Sequence, residues 1–292
     1  MKKIIIGKGH LGSIMAGKKT DDEVLHWTKD MAELDKKTIS DFGPDIVVNC
    51  AGKTDLSWCE ANKEECWRCN VVEPVMLQRR LSIRTRLVHL SSGCVWTGPY
   101  NEKDNAFGPQ DPPTPACFYA WTKVACDDRL MDEADYDGRE LLVLRPRQVF
   151  SGEASPRNTL CKLMGYESLI DTPNSMTSAD LICDVVSSYA SRELITLDQH
   201  IMCLYNRGVT SPFKVGSMLA QAGLRSEPKL MEKSSLDEWH KPRRVDVVMM
   251  DDDFEASMDP PSVEDAIWDS IMELRDVIAK EAGGRHGGSS KE

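Results

Sequence analysis

The sequence predicts an α/β protein built on a doubly wound parallel sheet, and three observations carry that expectation. Short apolar runs recur along the chain as far as Leu204, with helical stretches between them. The runs lack strict apolar–polar alternation, which marks strands buried on both faces. The first run opens into Gly7-Lys8-Gly9-His10-Leu11-Gly12, a pattern that turns a strand into a helix. Strands and helices that alternate in this way place helices on both sides of a parallel sheet.

Taken in order, residues 3–6 form the first strand and the glycines lead into a helix over 11–16. Residues 24–27 form the second strand. Gly43-Pro44 turns the chain into the third, over 45–49. Helices follow over 57–69 and 74–82, and the fourth strand, 86–90, ends in Ser91-Ser92-Gly93-Cys94. Residues 98–115 are rich in Pro, Gly, Asn and Asp and read as a surface loop able to close over a substrate. A longer helix spans 119–133, the fifth strand 141–144 and a late strand 201–204. From about Ser151 the rhythm weakens. The expected organisation is a dinucleotide-binding domain over 1–150 with a returning segment near 176–206. A smaller C-terminal substrate lobe takes 151–175 and 207–280, and a flexible tail 281–292.

The bulk composition narrows the partners. The 292 residues are 41% hydrophobic and 28% charged, as in an ordinary globular protein. A net charge of −11 argues against nucleic acid, which needs a basic face to displace counterions. It leaves room for an anionic small substrate in a locally basic pocket. No apolar stretch is long enough to span a bilayer, and Ile4-Ile5-Ile6 is too short for a signal peptide. Ten scattered cysteines then fit reduced thiols in a cytoplasmic protein. Cys66-Trp67-Arg68-Cys69 has no matching second pair, so Cys66 and Cys69 read as small apolar residues of a helix and no metal is expected.

In the glycine pattern, Gly7 permits the tight turn, Gly9 lets a pyrophosphate approach the backbone, and Gly12 lets helix and strand pack closely. With His10 and Leu11 in the first helical turn, the phosphate meets the positive end of the helix dipole. A glycine-rich turn with no ligand is the plain alternative. No acidic residue stands at the end of the second strand, where a carboxylate would hold an NAD ribose, and Lys29 lies nearby. NADPH is therefore the expected cofactor, with NADH left open. Asn49, Ala51 and Gly52 close the third strand at the edge where such folds bind ligands; a simple strand-ending turn explains them equally well.

Tyr119 and Lys123 lie one helical turn apart and share a face. A phenol is a weak acid, and a nearby ammonium lowers its pKa. Lys123 is thus expected to tune Tyr119, which would protonate a carbonyl oxygen as hydride reaches the carbon. Ser92 would be the second donor to that oxygen. His89, mid-strand, reads as a satisfied core histidine.

These features resemble the extended short-chain dehydrogenase/reductase superfamily. Within it the sequence is most similar to dTDP-4-dehydrorhamnose reductases. It is closer still to the bifunctional NDP-4-keto-6-deoxyglucose 3,5-epimerase/4-reductases, including the C-terminal halves of plant UDP-rhamnose synthases. The likeness covers roughly residues 1–210 and rests on Asn49–Gly52, Trp58-Cys59-Glu60, Ser92-Gly93-Cys94 and Phe118-Tyr119 with Lys123. It continues in Leu144-Arg145 with Arg147, Pro156-Arg157-Asn158 and Pro173-Asn174-Ser175-Met176-Thr177. Ser91, Trp121 and the loop before Tyr119 depart from the pattern. The resemblance implies a reductive triad of Ser92, Tyr119 and Lys123, and an acid–base pair of Cys94 and Lys162 for epimerisation. It also makes a homodimer plausible.

The chemistry of that pair is consistent. A 4-keto group acidifies the hydrogens on C3 and C5, and inversion needs a base on one face of the ring and an acid on the other. Cys94 lies two residues past Ser92, so continued strand geometry would aim both side chains the same way. A buried apolar thiol and a solvated helix lysine are the alternatives for Cys94 and Lys162. Arg147 and Asn158, with Arg145 and Arg157, are candidates for diphosphate or sugar contacts. The expected activity is conversion of NDP(UDP)-4-keto-6-deoxy-D-glucose to NDP-L-rhamnose. The alternatives are a reductase alone and a non-catalytic nucleotide-binding subunit.

Overall fold

The computed structural model describes residues 1–98, 106–194, 200–239 and 245–286. The chain opens with β1 (Lys2–Ile6), α1 (His10–Gly17), β2 (Glu23–Trp27), α2 (Lys36–Phe42) and β3 (Ile46–Asn49). It continues through α3 (Leu56–Ala61), α4 (Lys63–Trp67), a π-helical turn (Arg68–Val72), α5 (Glu73–Arg80) and β4 (Arg86–Leu90). After a 3-10 turn at Gly93–Val95 come α6 (Phe118–Asp137) and β5 (Leu141–Pro146). The remainder holds α7 (Thr159–Gly165), β6 (Ser168–Ile170), α8 (Ala179–Ala190), β7 (Ile201–Leu204) and α9 (Pro212–Gln221). It closes with β8 (Lys229–Met231), α10 (Lys233–Trp239), α11 (Asp252–Met258) and α12 (Val263–His286).

The six long strands pair in the order β2-β1-β3-β4-β5-β7, every pair parallel. Alternate residues feed opposite faces, as the pleat requires. Ile5, Val48, Val88 and Leu142 join a core with α8, while Ile4, Val47, Leu87 and Val143 join another with α5 and α6. From β1 the chain steps outward to β2 and returns on the other side to β3. That reversal leaves a crevice at the carboxyl ends of β1 and β3, where open sheets bind ligands.

A third apolar cluster lies off the sheet, built from Leu160 and Leu163 of α7, Val215 and Leu219 of α9, and Ile267, Ile271 and Leu274 of α12. The short parallel pair β6–β8 borders it. The rhythm that weakens in the sequence therefore continues here in strands of three residues, too short to leave a periodic signal. Among the described residues no helix is long and apolar enough to cross a membrane.

Three expectations change. The helix expected over 57–69 breaks at Asn62 (φ −128°, ψ 56°), whose amide donates to the Trp58 carbonyl at 2.9 Å and competes with the helical pattern. The tail was expected from 281, yet residues 281–286 are helical, and 287–292 lie outside the described residues. α12 continues through His286, because Ile267, Ile271 and Leu274 anchor the helix and extending it costs little. In the expected loop 98–115, residues 99–105 lie outside the described residues. The part beyond is tied down: Phe107 stacks on Trp96, centroids 5.7 Å apart, and pairs with Met249.

Candidate active site

At the end of β1, Gly7 has φ +121°, a conformation that side chains other than glycine rarely adopt. A Cβ on Gly12 would stand 2.2 Å from the Gly7 carbonyl, so the α1 start and the strand end touch. Gly9 caps α1 without a side-chain hydrogen bond, which leaves the first-turn N–H groups facing outward. A nucleotide diphosphate fits this cradle: the backbone donors are present, and the glycines bring no side chain of their own. Arg157 joins it from the loop before α7, with Nη1 2.9 Å from where a Gly9 Cβ would be. The His10 ring pairs with Ser151 Oγ at 3.0 Å, which straps that loop to α1. Burial, then the charges of Lys162 and Arg157, hold His10 below the usual histidine range. A cleft of 640 Å³ runs between α1 and this loop, lined by Lys8, His10, Lys18 and Arg157 among others.

Asn49, at the end of β3, is fully buried. Its amide donates to His89 Nδ1 at 3.1 Å and its oxygen accepts from Ala51 N at 3.0 Å, so it shapes the turn. His89 is the satisfied core histidine that its position suggests: the other ring nitrogen meets Cys126 Sγ at 3.6 Å. Ala51 and Gly52 remain on the crevice wall, and a Gly52 Cβ would stand 3.8 Å from Lys123 Nζ. At the end of β2, Lys29 Nζ lies 5.7 Å over the Trp27 ring.

Ser92, Cys94, Tyr119 and Lys123 come together where β4 ends against α6. Tyr119 is 6% exposed. Burial pushes its phenol well above the usual tyrosine range, and the hydrogen bond from Ser92 pulls the other way. Lys123, one helical turn on, is buried in the same place. Lys123 Nζ donates to the Leu90 carbonyl at 2.8 Å, and burial lowers its own pKa. The phenol is therefore held protonated, the state a proton donor needs.

Cys94 reaches the same place by a different route from the one its spacing suggests. The strand stops at Leu90, and Ser92 caps the 3-10 turn, its Oγ accepting from Cys94 N at 3.1 Å. Cys94 packs into the cluster of Cys59, Cys66, Cys117, Tyr119 and Ala120. Its sulfur accepts from Arg147 Nη1 at 2.9 Å. Lys162 is exposed on α7, and its charge is felt at His10.

Two candidates for substrate contact already hold protein partners. Asn158 is fully buried, with its amide donating to the Ser151 and Glu153 carbonyls at 2.7 and 2.8 Å, so it braces the loop that carries Arg157. Arg147 is 5% exposed and binds Cys94, Asn174 and the Val245 carbonyl. One group escaped the sequence reading. Asp127 lies a turn beyond Lys123 and, fully buried, pairs with Arg145 at 3.0 Å and accepts from Ser91 Oγ at 2.8 Å. The Tyr119, Lys123, Asp127 spacing of four was visible in the sequence. Only the fold shows what meets it.

A parallel doubly wound sheet with a glycine turn at its switch point defines a Rossmann-like fold. More closely, the chain belongs to the RmlD substrate binding domain family, whose model matches residues 5–237. A trifunctional UDP-glucose 4,6-dehydratase/UDP-4-keto-6-deoxy-D-glucose 3,5-epimerase/UDP-4-keto-L-rhamnose-reductase of Arabidopsis thaliana is 28% identical over 211 residues. The match takes in 66% of this chain but only 30% of that protein. The crystal structure of a UDP-rhamnose synthase from Acanthamoeba polyphaga mimivirus shares the fold, with a TM-score of 0.82 and 20% identity over 94% of this chain and 99% of that one. So does a dTDP-4-dehydrorhamnose reductase from Bacillus anthracis in complex with NADP, at 0.79 and 13% over 93% and 99%.

Proposed function

We propose that the chain is an NADPH-dependent NDP-4-keto-6-deoxyglucose 3,5-epimerase/4-reductase that forms NDP-L-rhamnose, with UDP as the nucleotide. The observation that carries this reading is the buried Ser92–Tyr119 pair with Cys94 packed beside it. A nicotinamide bound in the crevice would supply a hydride. Ser92 and Tyr119 hold the ketone oxygen, and Tyr119 gives it a proton as the carbon is reduced. Earlier, the same two donors hold that oxygen as an enolate while Cys94 removes a proton from a neighbouring carbon. Lys162 is the family's partner in returning a proton from the opposite face. All ten thiols are free, which suits a reducing cytoplasm.

The NADP complex of the Bacillus anthracis relative and the Gly9 cradle support the cofactor assignment. Arg157 then faces the diphosphate. Arg157→Ala is expected to weaken NADPH binding about tenfold, the effect of one charge-assisted hydrogen bond, and NADH binding by the same factor. Fluorescence titration of the apoprotein reads both. A loss confined to NADPH would move Arg157 to the 2′-phosphate.

A second reading, reduction without epimerisation, is favoured by the exposure of Lys162 and by its electrostatic reach to His10. Incubating UDP-4-keto-6-deoxyglucose in D2O without NADPH separates the two. The bifunctional enzyme incorporates deuterium at C3 and C5, and Cys94→Ala and Lys162→Ala lower that exchange by about 10²-fold or more, as for loss of an acid–base group. Wild-type protein that exchanges nothing yet reduces pre-epimerised substrate is a reductase alone.

A further inference from the structure

The two most specific motifs, Ser92-Gly93-Cys94 and Pro173–Thr177, meet at one side chain. A Cβ on Gly93 would stand 3.5 Å from Arg147 Cβ and Cδ and 2.7 Å from Met249 Sδ, so the turn carrying Cys94 lies directly on Arg147. From the other motif, Asn174 Oδ1 accepts from Arg147 Nη2 at 2.9 Å, and Thr177 Oγ1 accepts from the Arg147 backbone N–H at 2.9 Å. Asn174 is itself fixed, receiving Val247 N at 3.1 Å and donating to Asp246 at 3.2 Å. Nothing in the reductive step uses this assembly.

The guanidinium is buried, and among the described residues its hydrogen-bond acceptors are the Asn174 and Val245 oxygens and the Cys94 sulfur. None is a carboxylate, and Nε has no partner. A buried cation held by neutral groups gains most from any negative charge that forms against it. The sulfur at 2.9 Å is where epimerisation would put one.

We infer that Arg147 is the positioning residue for Cys94: its fork, locked by Asn174, aims the sulfur at the sugar beside Tyr119 and stabilises the sulfur's charge before the proton arrives. The step balances. The sulfur's electron pair takes the proton from C3 or C5, and the C–H pair becomes the enolate. This role rests on the bifunctional reading; the Arg147 grip on the sulfur does not.

Arg147→Lys keeps a charge but loses the planar fork that reaches Asn174 and Cys94 together. Two rates are measured on the full chain: deuterium exchange at C3 and C5, and NADPH oxidation with pre-epimerised ketosugar. Exchange is expected to fall about tenfold further than reduction, and iodoacetamide labelling of Cys94, followed on its peptide by mass, to slow by about the same factor at fixed pH. Equal losses in both rates would mean a merely structural arginine and overturn the inference. Unchanged labelling overturns it too. If the wild type exchanges nothing, the bifunctional reading fails, and labelling alone decides whether Arg147 governs the sulfur. Should Arg147→Lys not fold, Asn174→Ala, which keeps the guanidinium and removes one of its acceptors, carries the same comparison.

Discussion

Tyr119→Phe is expected to slow NADPH oxidation with UDP-4-keto-L-rhamnose by about 10²–10⁴-fold, the usual contribution of a positioned general acid. The phenol is almost wholly enclosed, and that enclosure keeps it protonated. The neighbouring candidates cannot replace it easily. The Ser92 hydroxyl is a far weaker acid, and Lys123 is bound to the Leu90 carbonyl. Phenylalanine keeps the ring that packs on Cys59, Cys66 and Ala120, so the loss falls on the proton rather than on the fold. Single-turnover kinetics with saturating NADPH measure it. A variant retaining more than about a tenth of the rate would assign the proton to another donor, because effects that small are below those of acid catalysis.

Asp127→Ala is expected to lower stability by about 3–5 kcal/mol, the cost of leaving one member of a buried ion pair alone. Arg145 is 2% exposed and loses both of its contacts with Asp127 Oδ2, and Ser91 loses its acceptor. The orphaned guanidinium cannot swing to water, because it lies 5.0 Å over the buried Trp96 ring. Burial raises the Asp127 pKa, while Arg145 and Ser91 pull it back, so the pair keeps its charge only as a unit. Urea unfolding reads the change. Replacing both partners, Asp127→Ala with Arg145→Met, should cost less than the single change, since no buried charge then lacks a partner. A single variant as stable as the wild type would contradict the ion pair.

The sheet was legible because each strand is a dense apolar run, and a run buried on both faces needs no partner to announce it. The glycine turn was legible for a local reason: Gly7 needs its positive φ, and Gly12 lies against the Gly7 carbonyl five residues back. What escaped is long-range. Cys94 enters the site through a 3-10 turn capped by Ser92, where the sequence had suggested that strand alternation would bring it there. The side chains of Asn49 and Asn158 serve the fold around them, the one held by His89 and the Ala51 N–H and the other by the Ser151 and Glu153 carbonyls. Lys123 was expected to act on Tyr119 through charge; its ammonium also donates to a strand carbonyl 33 residues away. No spacing rule exposes such a competitor. Asp127 and Arg145, 18 residues apart, met only when α6 was laid across β4 and β5.

The indole of Trp96 touches two systems at once. Phe107 lies parallel to it, and the Arg145 guanidinium hangs above it, while its own chain segment closes the turn that bears Cys94. Its Nε1 is anchored to the Asp111 carbonyl at 3.1 Å. The ring thus works as a shared washer between the thiol's mounting and the interior ion pair. A tilt imposed from either side is passed to the other, so the sulfur's aim and the interior's cohesion cannot drift independently.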